Sequence, residues 1–225
     1  MEEENKVIME DSPNVITRTF LWMFMGLFAT GLIAWFTYSS GVIEEFLMNG
    51  MFGLLITIEL VVVLLFSFLF RKLSPTVVGI LFFVYAAING VGLSVIFAAF
   101  KIESIFIVFL ASALLFAAFA FYGAKTKADI SKISTLLFGT VFVCIIVSLI
   151  NMFLGNSIID IVISWVVLFV FFGITAYDMQ NIKYLAQSED PKIRNKAHIY
   201  GAMQLYLDFI NIFVRILRIF GRSKD

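Results

Sequence analysis

Three acidic side chains stand inside long apolar runs of this sequence: Glu59, Asp178 and Asp208. An ionisable group in such a run is costly unless it faces a partner, a cavity or a proton path, so each is a candidate for chemistry. Asp208 lies in QLYLDFINIFVRILR. Residues three and four apart share a helix face, and Gln204, Asp208, Asn211 and Arg215 follow that spacing. They draw a polar stripe along an otherwise apolar helix and are candidates to line a pore. For the two amides, hydrogen bonding that glues neighbouring helices is an equal reading. Asp178 lies in ITAYDMQNI, with Thr175 and Asn181 three residues to either side. Consecutive helices usually pack as neighbours, so the carboxyls of Asp178 and Asp208 can meet.

Two carboxyl groups in a low-dielectric site cannot cheaply both ionise, so they hold a proton in common and titrate as a unit. Such a pair is a proton-dependent switch. Its oxygens also suit a hard cation; Ca²⁺ takes about 6–8 oxygen ligands, so water and backbone carbonyls would complete the shell around Asp178 and Asp208. Glu59, in LLITIELVVVLL, lacks a polar neighbour one helical turn away and must face the interior or be protonated; it is a further pore candidate. Arg71 ends the same run, where a basic residue anchors topology or, at the depth of Asp178, pairs with it and latches a closed state.

The elements that would position these groups are membrane helices. Of 225 residues, 61% are hydrophobic and 14% charged, against roughly 45–50% and about 25% in soluble domains. The apolar runs fall at 17–39, 52–70, 76–100, 104–123, 133–154, 158–180 and 198–220, each near the ~20 residues that cross a bilayer. Pro13, Pro75 and Pro191 fall between runs, never within one. The expected fold is therefore an all-α bundle of seven transmembrane helices over 17–220, with a polar N-terminal tail at 1–16 and a short tail at 221–225.

Lys and Arg concentrate on one side of this arrangement. The N-terminus and the even-numbered loops carry Lys6, Arg18, Arg71, Lys72, Lys125, Lys127, Lys132, Lys183, Lys192, Arg194 and Lys196, whereas the odd-numbered loops carry only Lys101. Positive charge marks the cytoplasmic face, which places the N-terminus inside. The tail opposes this with Arg215, Arg218, Arg222 and Lys224, so the last helix either crosses against its charge or turns back.

Other chemistries find little support. The N-terminal MEEENKVIMEDSPN is acidic, unlike a secretory signal. Zero net charge gives a nucleic-acid partner no electrostatic basis. Phosphate-cradling glycine loops, clusters of Cys and His ligands and a nucleophile elbow are all missing, so neither a cofactor nor an enzyme is expected. Cys144 reads as a small apolar side chain and His198 as a surface residue. Two aspartates on adjacent spans also suggest an aspartyl protease, but the glycine-containing second motif of the intramembrane type is replaced by Leu205, Tyr206 and Leu207 before Asp208.

The segment AYDMQNI, Ala176 to Ile182, followed by LYLDFINIFVRILRIFG, Leu205 to Gly221, resembles the Bax inhibitor (transmembrane Bax inhibitor motif) family in its bacterial form. The resemblance implies seven helices with the last at the centre, in the plasma membrane of a bacterium, and a pH-sensitive calcium leak. It assigns Asp178 and Asp208 as pH sensor, Arg71 as latch and Glu59 as a matching acid of the second span. Calcium is the implied permeant ion and the bilayer the implied surroundings. A role as regulator of other membrane proteins, such as a protease, without transport is the alternative; the modest basic tail argues against the cell-death role of eukaryotic relatives.

Overall fold

Long apolar stretches without internal proline satisfy their backbone hydrogen bonds within the segment, which in a membrane leaves the helix as the natural solution. The computed structural model describes residues 2–49, 58, 61–63, 65, 66 and 72–224. Its helices are α1 (Glu2–Ser39), α2 (Val42–Met48), α3 (Pro75–Leu93), α4 (Val95–Ala99), α5 (Ile102–Lys125), α6 (Ser131–Leu154), α7 (Ser157–Ala186), α8 (Pro191–Arg194) and α9 (Ala197–Phe220).

Among the described residues, five helical segments are long and apolar enough to cross a membrane: Asn14–Ser39, Pro75–Ala99, Ile102–Lys125, Ser131–Leu154 and Ser157–Ala186. The expected run 52–70, with Glu59, lies largely outside the described residues, and Arg71 lies outside them too. The expected last span is a helix of 24 residues, about 36 Å by helical rise. It misses the apolar class because it carries Asp208, Arg215 and Arg218. It is instead the most enclosed: no residue from Ala197 to Leu217 is exposed, whereas in α6 only Asn151 is buried. Helix α1 also runs back to Glu2 through the segment expected as a tail.

Local chemistry sets the helix ends. Ser74 caps α3, its hydroxyl accepting from Val77 N, and Pro75 occupies the first turn, where a missing N–H costs nothing. The run expected at 76–100 is interrupted at Ser94, whose hydroxyl donates to Val91 O at 2.6 Å. Between α6 and α7 the chain reverses at Gly155, φ 63°, a left-handed conformation suited to glycine. Asn151 closes this turn and, through Asp160 Oδ1 at 3.0 Å, also bonds α6 to α7. Its amide donates to Asn156 O at 2.9 Å and accepts from Asn156 N at 3.2 Å.

The chain forms two compact units. One holds α1 to α4, α7 from Ile182, α8 and α9 as far as Tyr206; the other holds α5, α6, α7 as far as Asn181 and α9 from Leu207. In the first, the AAINGVG run of α3 permits the close approach its small residues predict: a Cβ on Gly90 would sit 2.8 Å from Thr30 O. Tyr206, fully buried, ties the three helices there. Its hydroxyl lies 2.7 Å from Thr30 Oγ1 and donates to Asn89 Oδ1 at 3.1 Å, while Phe82 and Tyr85 meet its ring edge-on. Tyr206→Phe removes the hydroxyl and nothing else. It should destabilise the protein by about 1–3 kcal/mol, seen as a lower thermal midpoint in detergent.

Candidate functional site

The second unit brings Asp178 of α7 and Asp208 of α9 together. They are 3% and 2% exposed, and their carboxyl groups lie close enough to interact directly. Two buried carboxylates this close repel each other, so a shared proton is the arrangement that lets them sit together. Thr175, one turn before Asp178 and fully buried, stands beside Asp208, its hydroxyl donating to Phe171 O at 2.7 Å. Asp208 Oδ2 is buried without a hydrogen-bond partner among the described residues.

The surroundings are apolar and tightly drawn. Phe209, next to Asp208, packs edge-on against Phe109 at 5.2 Å and Phe116 at 5.7 Å. On α5, Gly123 permits contact with the backbone of α7 at Ala176, two residues before Asp178; a Cβ there would lie 2.2 Å from Ala176 O. The first carboxylate is thus held by a helix that glycine lets in close, and the second by a helix with no exposed residue from Ala197 to Leu217.

A family description, "Inhibitor of apoptosis-promoting Bax1", matches residues 12–225. This chain belongs to the Bax inhibitor family. It is 35% identical over 209 residues to "Inner membrane protein YbhL" of Escherichia coli (strain K12), covering 90% of this chain and 89% of the relative. An uncharacterized membrane protein of Streptococcus pyogenes serotype M3 is 39% identical over 166 residues, 74% of this chain and 72% of that one. An uncharacterized protein of Borreliella burgdorferi is 31% identical over 228 residues, 100% and 97% of the two chains. The chain is thus an integral membrane protein of the bacterial type of the Bax inhibitor family.

For this family member, the other sequence candidates fall in different places. Glu59 and Arg71 lie outside the described residues. Of the stripe on α9, Asn211 turns its amide onto its own helix, donating to Leu207 O at 2.8 Å. Arg215 is partly buried and within electrostatic reach of Cys144, Arg218 and Asp160. Gln204 lies on the stretch of α9 that belongs to the first unit. Among the described residues no three His, Cys, Asp or Glu side chains group as metal ligands. Asp178 and Asp208 offer at most four oxygens, so a calcium ion would need carbonyls and water as well.

Two polar groups escaped the sequence reading. Gln180 binds the turn before α6, its carbonyl oxygen accepting from Ile130 N at 3.1 Å and its amide donating to Ala128 O at 2.9 Å. It ties α7 to that turn two residues beyond Asp178. Asp160, in the first turn of α7, accepts from Asn151 Nδ2 at 3.0 Å and from Arg218 Nη2 at 2.9 Å. Arg218 and Asp160 are half-exposed, where such a pair contributes roughly 0–1 kcal/mol. Asp160→Asn should accordingly shift thermal stability by less than about 1 kcal/mol in a melting assay.

Proposed function

We propose that this protein is a pH-sensitive, calcium-permeable leak channel whose gate is the Asp178–Asp208 pair. The observation that carries the reading is two carboxyl groups, each almost wholly buried, within reach of each other on two membrane helices. With its proton the pair closes on a shared hydrogen bond and carries a single negative charge. Without it the two carboxylates repel and attract a cation, so protonation moves two helices and changes the site's affinity for Ca²⁺ together. Asp208 Oδ2 supplies an oxygen not otherwise engaged among the described residues.

In this reading the chain crosses seven times, the run 52–70 providing the second span and α9 the last, central one. The enclosure of α9 from Ala197 to Leu217 supports a full crossing over a helix that turns back, because buried surroundings shield its charges. The charge asymmetry supports a cytoplasmic N-terminus. Arg71 latches the closed form, while Glu59, Gln204, Asn211 and Arg215 line the path. The function involves no catalytic step and no cofactor.

The test is calcium entry into liposomes holding the purified protein, scanned over pH 5–8 beside empty liposomes. Flux above the empty control that varies with pH is expected. Flux equal to the control at every pH would remove the channel and leave the alternative, a regulator acting through helix contacts with other membrane proteins.

A further inference from the structure

The second unit also carries a groove with the dimensions of a lipid chain. On α5, Ser104, Val108, Ala111 and Leu115 recur at helical spacing, and the small side chains of Ser104 and Ala111 leave a trough where larger ones would fill it. Trp165, Phe169 and Phe172 of α7 form the opposite wall, and Ile216 and Phe220 of α9 the floor; the cavity measures about 750 Å³. From Ser104 to Leu115 it runs about 16 Å by helical rise, close to the half-thickness of a ~30 Å hydrocarbon core. Its rims face outward: Ile107 and Phe169 are both more than 60% exposed.

Only one end is polar. There Lys101, Glu103 and Arg222 line the mouth, and the chain is held together by Lys101 N donating to Arg222 O at 3.0 Å and Arg222 N donating to Ser104 Oγ at 2.9 Å. Lys101 precedes the first turn of α5 and Arg222 follows α9, so both cations sit where an apolar trough reaches the membrane surface. Among the described lining residues the mouth carries two cationic groups and one carboxylate, Glu103. An uncharged or zwitterionic headgroup gains little from that arrangement, and a negatively charged phosphate gains most.

We propose that this groove binds an anionic phospholipid, one acyl chain lying between α5 and α7 and the headgroup phosphate held by Lys101 and Arg222. The site is separate from the aspartate pair and does not depend on ion flux.

The test is native mass spectrometry of the full-length protein in neutral detergent. It is offered equal amounts of phosphatidylglycerol and phosphatidylcholine with matched chains. Preferential retention of phosphatidylglycerol is expected. Lys101→Gln and Arg222→Gln should each lower that preference about fivefold, and the double variant roughly 30-fold. Ala111→Trp, which fills the trough and keeps both charges, should abolish retention; a melting curve checks that this variant is folded, and Ala111→Leu serves in its place if it is not. Equal retention of the two lipids by the unaltered protein would overturn the proposal, as would an unchanged preference in the double variant. Anionic retention that survives a filled trough would show surface charge alone at work and would overturn it too.

Discussion

Replacing Gly123 by alanine is expected to destabilise the protein by about 1–3 kcal/mol and to disturb the aspartate pair with it. The added methyl would lie 2.2 Å from Ala176 O, 2.7 Å from Ala176 Cα and 2.8 Å from Ala176 C. These are backbone atoms, so no rotamer change relieves the clash and α5 must move away from α7. Ala176 lies two residues from Asp178, so the movement reaches the carboxyl contact directly. Gly139 of α6 is the control, since a Cβ there meets nothing within 4 Å. Gly139→Ala should stabilise by roughly 0.5–1 kcal/mol, because glycine is a poor residue for a helix interior. Opposite shifts of the two thermal midpoints in detergent would confirm the close packing. Equal shifts would show that α5 does not approach α7 as described.

The largest functional effect is expected from Asp208→Asn. An amide keeps the size of the side chain and its hydrogen-bonding capacity, yet cannot exchange a proton near neutral pH. Asp178 then loses its proton-sharing partner, and the coupled titration is lost. A shared single proton permits at most about a tenfold change in flux per pH unit; Asp208→Asn should reduce that dependence to nearly none while leaving the protein folded. Thr175→Val, which removes the hydroxyl beside Asp208, should displace the midpoint of the pH response without abolishing it. Both are read from calcium entry into liposomes at stepped pH. A variant that retained the full pH response would place the sensor elsewhere.

Much of this site is legible in the residues themselves, because an acid within an apolar run is conspicuous and helical spacing links it to its neighbours. Asp178, Asp208 and Thr175 come together in the second unit as their positions on consecutive long helices suggest. The stripe on α9 is a weaker guide. Spacing assigns Asn211 to the face of Asp208, but its amide can bond a carbonyl one turn back and does so at Leu207. Spacing fixes a direction, and the choice between a local and an interhelical partner is made by packing.

Other features depend on geometry that no single residue announces. Asn151 falls in an apolar run and bonds across to Asp160 of α7 as interhelical glue would; its second role, as a turn cap, follows from the left-handed backbone of Gly155. Gln180 resembles an ordinary polar residue at a helix end, and only the return of the loop before α6 gives it two backbone partners. The apolar length rule fails for α9 for a physical reason. A helix enclosed by protein does not need an apolar surface, so it can carry Asp208 and Arg215 at a length sufficient to cross.

The central claim is that Asp178 and Asp208 act as one titrating unit that gates calcium. Its most direct test is calcium entry over pH 5–8 for the unaltered protein, Asp178→Asn, Asp208→Asn and the double variant in parallel. If the pair is one unit, either single substitution flattens the pH response and the double variant adds nothing further. Additive losses, or a pH response that persists in the double variant, would contradict it.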